Sequence, residues 1–180
     1  MIHYEELPNI GRETHTYLYH IVKYYDSMCP DGCTVFCQGM IDDHCIHSKK
    51  THDENIKCSI QNAQTKKGYC PLDDGIQQSY NQRTPGPVMQ RFRLHQYCNQ
   101  PLEPNLYNEN FGTWFERVLG RTFPNPYKGF MPGALFAVSN SRILSKPKEF
   151  YEKLLLELKT PNPEVAHFFE RSWRYIFEDD

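Results

Sequence analysis

Three short segments of this 180-residue chain carry side chains suited to chemistry. The first is Leu7-Pro8-Asn9-Ile10-Gly11-Arg12-Glu13. A helical pattern follows it directly, so unpaired N–H groups and the positive end of a helix dipole face whatever binds there. Gly11 permits close backbone approach, and the Arg12 guanidinium matches phosphate geometry. That combination suits a diphosphate or a sugar. The same residues also suit an ordinary helix start, capped by Asn9 or Thr14, with Arg12 paired to a surface carboxylate.

The second segment is Gln38-Gly39-Met40-Ile41-Asp42-Asp43-His44, which follows an apolar run. Ligands of open α/β sheets sit beyond the carboxyl ends of the strands. Asp42, Asp43 and His44 are types that bind a metal or orient hydroxyls there; a solvated turn is the plain alternative. The third is Glu170, in His167-Phe168-Phe169-Glu170-Arg171-Ser172-Trp173. Its aromatic neighbours predict partial burial and a raised pKa, which suits a general base. A surface Glu–Arg pair fits the same residues. His44, His47 and His52, with Cys45 and Cys58, have the residue types of a zinc site. Their H-x-x-H and H-x₄-H spacings match no standard ligand pair.

These segments need elements to hold them. Residues 1–7 read as a short strand, and Tyr17, Leu18, Ile21, Val22 and Tyr25 fall at helical spacing from Thr14 to Asp26. Thr34-Val35-Phe36-Cys37 and Ala134-Leu135-Phe136-Ala137-Val138 read as buried strands. Phe111, Trp114, Phe115, Val118 and Leu119 define a helix closed by Gly120. Helices are predicted over Lys148–Lys159 and Glu164–Phe177. Residues 45–110 are polar, without a long period, and read as an irregular insertion. Strands alternating with helices predict one α/β domain with a mainly parallel sheet flanked by helices.

Bulk properties narrow the partners. The net charge is −2, which argues against nucleic acid and anionic membrane. No apolar run approaches a membrane span, and the N-terminus lacks a signal peptide's basic and apolar regions, so a cytoplasmic protein is expected. Aromatics are 14% of the chain, with 12 Tyr and 11 Phe, so the core must be largely aromatic. The seven cysteines include no C-x-x-C pair. Mostly free thiols are expected, with one or two disulfides if the chain enters a secretory lumen.

Taken together, the segments resemble a family of domains of unknown function. Its members carry a PNxGRExxTYLxxI stretch, as at Pro8–Ile21, then a (V/I)FxQG strand, as at Val35–Gly39, and an Asp-His pair, as at Asp43-His44. Gly133–Ser139 resembles the family's GAxFAVS strand, and Glu170–Phe177 its ERxWxxIF helix. The resemblance covers about residues 7–44 and 111–178. The layout is in turn similar to GT-A type glycosyltransferases, which implies a shortened Rossmann-like architecture and a nucleotide-sugar donor with a glycan or other hydroxyl acceptor. Carried over by order, Asn9, Gly11 and Arg12 would touch the donor, with Glu13 and His15 beside them in the same stretch. Gln38 and Gly39, with Asp43 and His44, would lie at the metal motif, where Asp42, Asp43 and His44 would hold Mn²⁺ or Mg²⁺. Gly133, Ala134 and Phe136 would line the acceptor side. Glu170 would be the catalytic base, with Asp43 and His44 as further catalytic residues. Gln38 stands where that motif has Asp, and the strand and helix that precede the loop in GT-A folds have no counterpart here. A non-catalytic carbohydrate-binding or interaction module on the same scaffold is therefore the alternative.

Overall fold

The computed structural model describes residues 4–39, 41, 50–66, 68–72 and 86–178. Its central sheet has three strands: β1 (Cys33–Phe36), β2 (Tyr69–Pro71) and, much later in the chain, Phe136–Ser139. A separate hairpin pairs β3 (Gln96–Tyr97) with β4 (Gln100–Pro101), so Phe136–Ser139 is β5. The sheet order is β1–β5–β2, and both neighbours run antiparallel to β5. The expected mainly parallel, Rossmann-like sheet is thus overturned. Its premise failed for a physical reason. A strand covered on both faces reads as a continuous apolar run whatever its direction. β5 is buried at every position because it is central.

Alternate residues of β5 enter different cores, as strand geometry requires. Ala137 packs with Ala63 and Cys70. Phe136 and Val138 enter the main aromatic cluster on the other face. There Phe136 meets Phe36, its register partner, at a ring separation of 5.2 Å, and Tyr69 at 5.0 Å.

The helices are α1 (Arg12–Tyr24), α2 (His52–Lys66), α3 (Gly86–Gln90), α4 (Phe111–Leu119), α5 (Asn140–Ile143), α6 (Lys148–Leu155), α7 (Glu164–Glu170) and α8 (Trp173–Phe177). α2 lies within the region expected to be irregular. Its buried stripe is Asn55, Ser59 and Ala63, which are helically spaced but polar or small, so no hydrophobic period marks it. Residues 4–7 form no strand. The closing helix breaks into α7 and α8 at Arg171-Ser172, where the Ser172 hydroxyl donates to the Phe168 carbonyl at 2.8 Å. α4 forms as expected: Asn110 caps it by accepting from the Thr113 N–H, and Gly120 ends it at φ +68°.

Two devices position the elements. Gly11 caps α1 at φ +64°, and its N–H donates to the Thr160 carbonyl at 2.8 Å. A Cβ there would lie 2.9 Å from Leu158 Cβ, so glycine is required both by conformation and by space. Neither Asn9 nor Thr14 supplies a side-chain cap. At the start of α7, Glu164 is only 1% exposed. It accepts from Arg93 Nε and the Leu94 N–H at 2.8 Å each, and from Asn105 Nδ2 at 2.9 Å. This clamp fixes α7 beside the segment that leads into the β3–β4 hairpin.

Candidate functional site

The starts and ends of these elements meet at a polar cavity of about 210 Å³. Arg12, Glu13, Gln38, Tyr97, Gly133, Ala166, His167 and Glu170 line it. α1 supplies Arg12 and Glu13 from its first turn. α7 supplies Ala166, His167 and Glu170; the last two are three residues apart and so share a face. The hairpin supplies Tyr97. Its two-residue turn, Cys98-Asn99, takes φ of +49° and +61°, the left-handed pair that suits a tight hairpin.

Glu170 is the anchor of the site. Its Oε1 accepts from the Gly133 N–H at 2.7 Å, and its Oε2 from Arg171 Nη1 at 3.1 Å. His167 Nδ1 lies 3.8 Å from the same Oε2. Gln38 Nε2 donates to the Gly133 carbonyl at 3.0 Å, tying the loop after β1 to this turn. Gly133 takes φ +79° and Ala134 +54°; Arg12, too, stands at +55°. Left-handed backbone at a non-glycine residue is strained, and such strain gathers at functional sites.

Arg12 spans the cavity. Its Nη1 donates to His167 Nε2 at 3.0 Å, and its guanidinium lies over the Tyr97 ring, 5.2 Å from the centroid. The His167 ring packs on the same tyrosine at 4.9 Å. Since Nε2 accepts, Nδ1 is the nitrogen that carries the proton toward Glu170.

The two carboxylates of the cavity are pushed in opposite directions. Burial raises the Glu13 pKa, offset only in part by its own backbone N–H and by Arg12. Burial also pushes Glu170 upward, but the nearby His167 ring N–H, the Arg171 charge and the Gly133 N–H outweigh it. Glu170 is therefore held below its ordinary value. The raised pKa expected of Glu170 belongs instead to Glu13. The aromatic neighbours that suggested burial were real, but His167 and Arg171 on the same segment, with the Gly133 N–H brought from elsewhere in the chain, favour the charged form.

Of the residues picked from sequence, Arg12, Glu13, Gln38, Gly133 and Glu170 reach the cavity. Gly11 lies beneath them, buried against Leu158. Asn9 and Gly39 are exposed. His15 packs along α1 against Tyr19. Ala134 is buried in the turn after Gly133, and Phe136 sits in the aromatic core. Asp42, Asp43 and His44 lie outside the described residues. Sequence reasoning missed His167 and Tyr97. The i,i+3 spacing of His167 and Glu170 was a usable signal for the first. Nothing local marked Tyr97, which a short hairpin delivers.

Among the described residues, no three His, Cys, Asp or Glu stand together as a metal site, and no helix is long and apolar enough to cross a membrane. Comparison with curated proteins and with solved structures finds no match. A family model described as protein of unknown function (DUF3431) matches residues 2–180, and the chain therefore belongs to that family.

Proposed function

We propose that this protein transfers a sugar from a nucleotide-sugar donor to a hydroxyl acceptor, with the reacting sugar held in the Arg12–Glu170 cavity. The observation that carries this reading is the convergence of Arg12, Glu13, Gln38 and Glu170, from opposite ends of the chain, on one polar cavity. Its volume suits a single sugar ring. Carboxylates and an amide match sugar hydroxyls, and the Tyr97 face matches the apolar face of a pyranose. At about 210 Å³ the cavity is smaller than typical small-molecule sites, so the nucleotide would lie outside it.

The chemistry divides among the residues as follows. Arg12 stabilises the charge that develops on the departing diphosphate. His167 Nε2 takes the proton of the acceptor hydroxyl, and Glu170 orients the ring from its Nδ1 side. The acceptor oxygen forms the new bond to the sugar's anomeric carbon. The old carbon–oxygen bond breaks, and the diphosphate leaves with its electron pair. In this scheme Glu170 acts through His167 and not directly. Mn²⁺ or Mg²⁺ would neutralise diphosphate charge; Asp42, Asp43 and His44 are the residues that would hold it. Among the described residues, no three His, Cys, Asp or Glu stand together to hold such an ion, so no step is routed through one.

A thermal-shift series with nucleoside diphosphates and nucleotide sugars, with and without Mn²⁺, tests the proposal. Binding to the native state must raise the melting temperature, by about 2.7 kcal/mol of stabilisation at a hundredfold excess over Kd. A panel in which none of these compounds shifts melting at millimolar concentration overturns it. The second reading, a carbohydrate-binding module without catalysis, is favoured by the small cavity and by the engagement of Arg12 with His167. Glycan binding that is indifferent to nucleotide would establish that alternative.

A further inference from the structure

The cavity holds one permanent cation among its lining residues, Arg12, and that cation occupies the one ring nitrogen of His167 that accepts a proton. We propose that Arg12 is an anion-operated latch: a phosphate-bearing ligand draws the guanidinium off His167 Nε2, and only then is the ring free to act as a base. This rests on the transferase reading for its use, but the contact itself can be tested without turnover.

Four observations support the latch. The Arg12–His167 bond joins a cation to a neutral acceptor through a single N–H, whereas a phosphate would offer charged oxygens that the planar fork meets bidentately. Among the described residues, the one ion-pair contact of Arg12 is long, with the Glu13 oxygen 3.8 Å from Nε, and burial raises the Glu13 pKa. The Arg12 side chain is 31% exposed while that of His167 is 8% exposed. The movable partner is therefore the one facing solvent. Finally, Tyr97 lies against both groups, so the guanidinium is able to slide over an aromatic face without losing all its contacts. The ring left behind stays oriented, since Glu170 is fixed by Gly133 and Arg171.

A donor with a diphosphate would thus open the site that its acceptor needs, which imposes an order: donor first, acceptor second. Energetically, ligand and His167 compete for Arg12. Removing His167 must then tighten anion binding, and removing Arg12 must weaken it.

The experiment uses the full chain with ¹⁵N-labelled histidine, titrated in separate arms with inorganic pyrophosphate and with uridine diphosphate. In the wild type, pyrophosphate should bind and move the His167 Nε2 resonance toward that of an imidazole freed of its donor. Arg12→Ala should show that freed resonance before any ligand is added, and should weaken pyrophosphate binding at least tenfold. His167→Gln should bind it several-fold more tightly. A uridine diphosphate effect at much lower concentration than pyrophosphate assigns the ligand as a nucleotide; equal effects assign it as free phosphate chemistry. Unchanged affinity in Arg12→Ala, or binding that leaves the His167 resonance in place, overturns the latch, as does the absence of pyrophosphate binding to the wild type. Should Arg12→Ala fail to fold, Arg12→Lys and His167→Gln carry the same contrast. A ring that moves in a protein that never turns over nucleotide sugars keeps the latch and removes the transferase. Turnover of a nucleotide sugar by a wild type whose His167 resonance stays in place on binding does the reverse.

Discussion

Helix α7 carries two carboxylates, one buried and one partly buried, and they are held in different ways. Glu164, at its start, receives donors from Arg93, Leu94 and Asn105 on both of its oxygens and is almost wholly buried. Glu170, at its end, is also hydrogen-bonded on both oxygens, but it lines a cavity and stands beside a histidine whose outer nitrogen meets a half-exposed arginine. The first arrangement closes every valence within the protein and so serves only position. The second leaves exchangeable contacts toward open space. A buried charge is costly unless paired; whether its partners can be traded for a ligand's separates scaffold from site.

Breaking the closed clamp should have the largest effect. Glu164→Ala leaves the Arg93 guanidinium, the Leu94 N–H and the Asn105 amide without their partner, and should destabilise the fold by about 3–5 kcal/mol in urea denaturation. A loss below about 1 kcal/mol would mean that water replaces the carboxylate and that the clamp is not structural. Gly11→Ala comes next. It combines left-handed backbone with a contact of 2.9 Å to Leu158, and a cost of roughly 2–4 kcal/mol is expected.

The cavity carboxylates should respond more weakly and in opposite senses with pH. The folded-state pKa of Glu170 lies below its ordinary value of 4.5. Its ionised form therefore stabilises the protein above that value, and the benefit is lost as pH falls through the folded pKa. Glu170→Gln should cost stability at pH 7, on the order of 1–2 kcal/mol, and progressively less in acid. The Glu13 pKa is raised above its ordinary 4.5, so folding shifts its balance toward the protonated form relative to the unfolded chain. Stability is complete below the ordinary value and falls as pH rises through the folded pKa. Glu13→Gln should raise the melting temperature at pH 7 by on the order of 1–2 degrees, with no gain at pH 3. Parallel pH profiles for the two variants would erase the proposed distinction between them.

Much of the cavity was legible in the chain. The Gly11-Arg12-Glu13 junction, Gln38 at a strand end and Glu170 beside an aromatic face each carried a local chemical signal, and all reach the same cavity. His167 was visible only as a spacing, and Tyr97 not at all. A tyrosine on a two-residue hairpin has nothing in its neighbours to say what it will face. The helices followed the same division. α1, α4 and α6 bury apolar stripes and were readable, whereas α2 buries Asn55, Ser59 and Ala63 and was not.

What the sequence by itself determined was the set of buried aromatic faces, the glycine-initiated start of α1 and the residue types able to bind a sugar or phosphate. These follow from local periodicity and side-chain chemistry, which act over a few residues. The tertiary structure alone decided the direction of the strands, because a central buried strand looks the same in either sense. It also decided the opposite pKa shifts of the two cavity carboxylates. Glu170 owes its lowered pKa partly to a glycine N–H brought by the turn before β5, and Glu13 owes its raised one to burial beside that cluster.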